Sequence, residues 1–231
     1  MTTDAHKARR LVIVGDSAYA DVAAEYFACD SSYEVVAFSV ERAYLKKPTL
    51  AGLPIVEFET LEQHYAPDAH DVFVAVTYTE LNRLRTRLAA AAKDKGYRLA
   101  SYVSSRAFVW RNVSFGEHCC VFEDNTVQPF VRIGSNVVLW SGNHIGHHST
   151  IGDNCFVSSH VVVSGFAQVG DNSFLGVNAA ISNNVRIGRD NWIGPGVTIL
   201  KDTAEGELYG GTQPQAARVP APRFFKVKTA P

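Results

Sequence analysis

From Val103 to Ile199 an aliphatic or aromatic residue returns at every sixth position without a miss: Val103, Val109, Phe115, Val121, Val127, Ile133, Leu139, Ile145, Ile151, Val157, Val163, Val169, Leu175, Ile181, Ile187, Ile193 and Ile199. Neither regular element uses that period. A helical period of about 3.6 would scatter these side chains around the axis, and the two-residue period of a strand asks for apolar residues where Asp153, Ser159, Asp171, Asn183 and Arg189 stand. A second column of compact residues, among them Val137, Asn143, Ser149, Cys155, Val161, Ala167, Ser173, Ala179, Val185, Asn191 and Val197, follows each aliphatic four places later and is expected to point inward beside it. Gly comes directly after the aliphatic at 134, 146, 152, 170, 176, 188 and 194, often followed by Asp or Asn, which is turn chemistry. Each hexapeptide is thus one short strand and one corner. Three make a triangular coil, and stacked coils make a parallel β-helix, stable only when several coils bury one another. Residues 103–199 supply a little over five coils with no inserted loop.

Upstream the pattern changes. Residues 1–9 are polar and expected to fray. Residues 11–15 read as a buried strand ending in Gly15, followed by a helix over 18–27 that Asp16 or Ser17 can cap, with Val22 and Tyr26 on one face. Further strands are expected at 34–38, 54–56 and 71–77, with helices near 57–65 and 80–95, the last carrying Leu81, Leu84, Leu88 and Ala91 at helical spacing. This alternation predicts a small Rossmann-like α/β parallel sheet covered by helices. The chain divides into that sheet over residues 1–100, the β-helix over 101–202, and an exit loop and Pro-rich tail over 203–231 that is expected to pack on the last coil.

The sheet does not read as a dinucleotide site. The turn from Gly15 to Ala20 keeps the first Gly of G-x-G-x-x-G and lacks the two that let a backbone approach a pyrophosphate. Composition narrows the field further. Twenty-two basic against 23 acidic residues leave a net charge of −1, so nucleic acid and anionic membranes are not expected partners. The apolar run at 11–14 is too short for a membrane span or a signal sequence, and Cys29, Cys119, Cys120 and Cys155 show no ligand-like or paired spacing, which points to the cytoplasm.

With these features the chain resembles the left-handed β-helix acyltransferases, in particular the two-domain sugar acyltransferases of the sialic-acid O-acetyltransferase and the bacillosamine or perosamine N-acetyltransferase type. The segment Ile145-Gly-His-His-Ser-Thr-Ile-Gly-Asp153 matches that family's His-containing coil, and Asn172-Ser-Phe-Leu-Gly-Val-Asn178 the coil that carries the acyl donor. The resemblance implies a left-handed β-helix and a homotrimer with active sites between subunits. It also implies acetyl-CoA as co-substrate, no metal, and a nucleotide-linked sugar as acceptor of the acetyl group on an amine or hydroxyl. His147 falls on the family's general base, with His148 or His144 as candidate orienting groups. Gly165, Gly176, Val177, Gly194 and Pro195 fall where the donor lies along the coils. The acceptor is expected at the carboxyl ends of the N-terminal strands, beside Gly15, Asp16, Ser17, Glu41 and Thr77. Trp140 and Phe156 replace an Asn and a His of the family, and Trp140 implies a different or bulkier acceptor.

An imidazole suits a base that must be neutral first and protonated later. Two other readings remain open on the sequence. His144, His147, His148 and His160 could supply ligands to a zinc lyase of the γ-carbonic-anhydrase kind, although their tight cluster lacks that family's wider spacing. The β-helix could also be a non-catalytic binding scaffold.

Overall fold

The computed structural model describes residues 9–227. The segment 1–9, expected to fray, lies outside these residues except for Arg9. Arg9 opens β1 (Arg9–Val14) and grips the buried Asp71 carboxylate at 2.5 and 2.8 Å. The chain continues through α1 (Ala18–Cys29), β2 (Tyr33–Val40), β3 (Thr49–Leu50), β4 (Leu53–Glu57), α2 (Leu61–His64), β5 (His70–Val74), α3 (Arg83–Asp94) and β6 (Arg98–Leu99). These strands form one sheet in the order β3-β4-β2-β1-β5-β6, parallel throughout except for the β3–β4 hairpin. Strands β1 and β5 are covered on both faces, which explains their unbroken apolar runs.

Helix α1 buries a face shifted from the expected one, whereas the α3 segment keeps Leu88 buried and Leu81, Leu84 and Ala91 half-buried and adds Arg85, Ala89 and Ala92 to its buried side. Helix α1 packs through Tyr19, Ala20, Ala23, Ala24 and Phe27, because three alanines allow a close approach to the sheet, and Val22 is left exposed. Ser17 stands at its N-cap position without a side-chain cap bond. Helix α3 starts at Arg83 and not at 80, because Glu80, Leu81 and Asn82 all have left-handed backbones, with φ of 54°, 48° and 67°. Its largest buried side chain is Arg85, a residue that an apolar-periodicity reading passes over.

From Tyr102 onward the chain is a left-handed parallel β-helix with three flat faces. The first face is a seven-stranded sheet, the second has six strands and the third five, each strand two residues long. Neighbouring rungs pair at a step of one coil, as in Val121↔Leu139, Val127↔Ile145 and Ile133↔Ile151. The hexad column is fully buried from Val121 to Ile199, and the compact column beside it, from Val137 through Asn191, is buried too. The lowest rung is not, since Val103 is 43% exposed: a terminal coil has no neighbour below it. At the top, Leu208–Tyr209 pairs with Trp192 and Ile193 and adds a last strand to the first face, with Tyr209 packed on the aliphatic column. That strand, and not the tail, ends the ladder. Gly211 still lies against Pro195, but residues 212–227 are exposed, Phe224 and Phe225 among them, so the Pro-rich part of the tail does not cover the last coil of its own chain.

The N-terminal sheet docks on the first face. Tyr19, Ala23, Phe27 and Phe73 pack in one cluster with Tyr102, Cys120, Phe122, Val138, Phe156 and Phe174, which point outward from that face. The corner between the second and third faces therefore lies on the far side of the prism from the N-terminal sheet. This placement governs the site.

Candidate active site

Order β4-β2-β1-β5 reverses direction at β1, which puts a crevice beyond the carboxyl ends of β1, β2 and β5. There the structure brings together Gly15, Asp16, Ser17, Glu41 and Thr77 around a cleft of about 240 Å³. Gly15, at φ 130°, could not be another residue, because a Cβ there would lie 2.6 Å from the Ala75 carbonyl oxygen. The sequence reading missed half of this cleft. Tyr44, Thr79, Leu84 and Leu88 supply an apolar wall. Arg87 donates to both Glu41 oxygens at 2.8 and 2.9 Å and so holds that carboxyl below its ordinary range. Lys47 donates to the Asp16 carbonyl at 3.0 Å. No spacing rule links Arg87 to a residue 46 positions earlier; only the docking of α3 on β5 and β6, which lets Arg87 reach Glu41 after β2, does.

His147 and His148 sit on the far corner, directly after the rung His144–Ile145 of the second face. The His147 amide donates to Gln128 Oε1 at 2.9 Å, and its Nδ1 lies 3.1 Å from His148 Nδ1, so one of these two nitrogens donates to the other. Among the described residues Nε2 has no hydrogen-bond partner. The Cε1–Nε2 edge lies over Gly165 of the next coil, where a Cβ would come within 2.9 Å of Cε1 and 3.0 Å of Nε2. Gly165 is thus fixed by the imidazole above all. Phe130 and Phe166, one coil below and one above, stack on His148 with ring centroids at 4.6 and 4.8 Å.

The remaining donor-site candidates occupy another corner. Gly176 and Val177, with Gly194 and Pro195 one coil higher, lie between the first and second faces. A Cβ at Gly176 would meet Pro195 N at 2.6 Å, and one at Gly194 would meet the Tyr209 carbonyl oxygen at 2.8 Å, so both glycines answer to coil stacking. Val177 and Pro195 are exposed and make this corner apolar. Trp140 is brought to neither place. It packs against Tyr19, Phe122 and Phe156 at the domain junction, with centroids at 5.2, 4.7 and 6.1 Å, and Phe156 is buried there as well.

His144 lies in a second-face strand, and His160, on the corner between the first and second faces, covers Gly142, so neither approaches His147 as a hydrogen-bond partner. Among the described residues no three His, Cys, Asp or Glu side chains converge as metal ligands. Cys119, Cys120 and Cys155 are buried thiols, the last two pushed up to about 12 by desolvation, which leaves them poor nucleophiles. Among the described residues no helix is long and apolar enough to cross a membrane.

Residues 130–165 match the family profile of the bacterial transferase hexapeptide (six repeats). A comparison with curated proteins finds no match. Among solved structures, the acetyltransferase domain of PglB from Neisseria gonorrhoeae superimposes with a TM-score of 0.80 at 24% identity, over 88% of this chain and 97% of that one. PerB from Caulobacter crescentus, in complex with CoA and GDP-perosamine, superimposes with a TM-score of 0.78 at 26% identity, over 88% and 95%. A variant of perosamine N-acetyltransferase from the same organism, with the same two ligands, gives 0.78 at 27% identity over 88% and 94%. The resemblance drawn from the His coil and the order of the two domains is thus matched over most of the chain in three dimensions.

Proposed function

We propose that this protein is a sugar acetyltransferase that moves an acetyl group from acetyl-CoA to an amino or hydroxyl group of a nucleotide-linked sugar, with His147 as general base. The observation that carries the reading is the His147 ring. Its Nδ1 is engaged by a neighbouring imidazole while the Nε2 edge of the exposed ring lies over Gly165, which has no Cβ. The likeness to structures described with acetyl coenzyme A, CoA and GDP-perosamine supports the substrate classes.

In the step proposed, the lone pair of the acceptor nitrogen or oxygen attacks the thioester carbonyl carbon as its proton passes to His147 Nε2. The C–S bond breaks, its electron pair leaves on the CoA sulfur, and His147 returns the proton to the thiolate. A nucleotide fits the cleft at the strand ends, where Tyr44, Leu84 and Leu88 offer apolar wall and the Arg87-held Glu41 offers a fixed hydrogen-bond acceptor.

The cleft belongs to the sheet docked on the first face, whereas His147 lies on the corner between the other two faces, so the two are set apart within one protomer. This supports a closed oligomer, a homotrimer on the three-sided prism, in which one protomer's cleft serves its neighbour's His147. The test is subunit mixing. His147→Ala and Thr77→Trp, the second filling the cleft, should each be inactive alone in CoA-thiol release from acetyl-CoA with a panel of nucleotide-linked amino sugars, GDP-perosamine included. Refolded mixtures should regain activity. Mixtures as dead as their parents, or a monomer at micromolar concentration in sedimentation, would exclude the shared site.

A further inference from the structure

A β-helix corner needs one residue in the left-handed region, and at seven corners the coils fill it with Asn or Asp. Asp124, Asn136, Asn154, Asn172, Asn178, Asn184 and Asp190 all have φ between 57° and 62°. Asn, Asp and also His, which takes three further corners at 118, 148 and 160, are the side chains favoured on this backbone, and bulky apolar ones are outliers. Phe130 and Phe166 break the rule at φ 66° and 60°, and they stand one coil below and one coil above His148, itself at φ 60°. Core burial does not offset their strain, because Phe130 is 55% and Phe166 49% exposed. Two strained, half-wet phenyl rings on either side of one imidazole are an outlier that calls for a role in the site.

Their geometry shows what they do. The rings stack on His148 at 4.6 Å with 28° between planes and at 4.8 Å with 16°, and Phe166 also meets His147 edge-on at 5.1 Å and 89°. An imidazole between two parallel phenyl faces can turn only within its own plane. Its Nδ1 is thereby kept 3.1 Å from His147 Nδ1.

We propose that Phe130 and Phe166 are positioning residues that clamp His148 as a fixed Nδ1 acceptor and so lock His147 in the tautomer with hydrogen on Nδ1 and the lone pair on Nε2. This rests on the reading of His147 as base and specifies how that base is prepared. The opposite tautomer carries hydrogen on Nε2 and cannot take a proton there. During the step His148 neither gains nor loses a proton: the acceptor's proton enters and leaves through Nε2, and the Nδ1 hydrogen stays donated to His148.

The experiment uses the full-length protein and needs no chosen acceptor for its first readout, nitrogen-15 NMR of labelled histidines. Wild type should show His147 as the Nδ1–H tautomer, and the double variant Phe130→Asn/Phe166→Asn should show a mixture. Asn is the residue that other corners use, so Tm should stay level or rise while kcat falls by about tenfold to a hundredfold, the cost typical of losing an orienting partner, with both KM values within about twofold. His148→Asn keeps both the left-handed backbone and an acceptor atom near the Nδ1 place and should retain most of kcat. His148→Gly keeps only the backbone and should lose as much as the double variant.

A double variant with unchanged tautomer and full kcat, or a His148→Gly as active as His148→Asn, would overturn the clamp. His147→Ala, assayed in parallel, separates the two claims. If it is dead while the Phe variants are fully active, only the clamp falls; if it turns over normally, the base and its clamp fall together.

Discussion

Two corner columns of the prism share one backbone and have opposite fates. On the corner between the third and first faces, under the N-terminal sheet, stand His118, Asn136, Asn154, Asn172 and Asp190; on the far corner stand Phe130, His148, Phe166 and Asn184, and every one of these has the same left-handed φ. In the first column the side chains form a hydrogen-bonded ladder. His118 Nδ1 meets Asn136 Oδ1 at 2.8 Å, Asn136 donates to Asn154 at 2.9 Å, and Asn154 to Asn172 at 3.2 Å. Arg85, a buried cation with no carboxylate partner among the described residues, seals the ladder to the sheet through the carbonyls of Val74, Asn136 and His118 at 3.1, 2.7 and 3.1 Å. Burial first, and then the charge of Arg85, hold the His118 imidazole well below its ordinary range, so it stays neutral and accepts from the Val74 amide at 3.0 Å. In the second column the equivalent places carry rings in water. The repeat supplies positions only; what faces a position decides whether a His there is mortar or reagent.

The largest effect expected from breaking this contrast is in turnover. His147→Ala should lower kcat by about a hundredfold to ten-thousandfold, the usual range for a lost general base, with Tm and acetyl-CoA affinity near wild type because the ring is exposed. Its opposite at the other column is Arg85→Met, which should leave the His147 corner untouched and cost stability instead. Hydrogen bonds to a charged donor are worth about 1.5–3 kcal/mol, and the carbonyls left behind are buried. Urea unfolding should therefore show a loss of about 3 kcal/mol or more. An Arg85→Met protein of wild-type stability would mean that the ladder is ornamental. Gly165→Ala is milder and sits on the active side: its Cβ pushes on the His147 ring edge, so kcat should drop by about tenfold with little change in Tm. Unchanged kcat in Gly165→Ala would show that the ring has room to move.

The contrast also explains what could be read from the chain alone. The β-helix was legible because one six-residue rule is repeated in sequence and every rung obeys the same burial, from Val121 to Ile199. The strand ends at Gly15, Glu41 and Thr77 were legible because a parallel sheet places its loops by topology. Arg85, Arg87 and Trp140 were not, since each takes its role from a surface more than 30 residues away in sequence. The helix face expected from Val22 and Tyr26 failed for a related reason. Apolar periodicity ranks large side chains and so passes over Ala20, Ala23 and Ala24, which lie with Tyr19 and Phe27 on the face that is buried, while Val22 is exposed and Tyr26 half-buried. The clamp had a signal that went unread: Phe at a corner position that other corners fill with Asn, Asp, His or Gly.

The smallest effect is a pH dependence that belongs to His118 alone. Folding keeps this imidazole neutral by burying it, so below its ordinary value of 6.5 the unfolded chain binds a proton that the folded chain refuses. Its contribution is complete above that pH and is lost as pH falls from 6.5 toward the depressed folded value. The slope cannot exceed that of one proton, about 1.4 kcal/mol per pH unit. His118→Gln offers an amide oxygen to the Val74 N–H and has nothing to protonate. Urea midpoints of the two proteins, measured between pH 7.5 and pH 5, should converge as pH falls, because every other group titrates alike in both and cancels in the difference. Parallel profiles would mean that His118 charges in place, in which case the corner under the sheet would be as wet as the corner that carries His147.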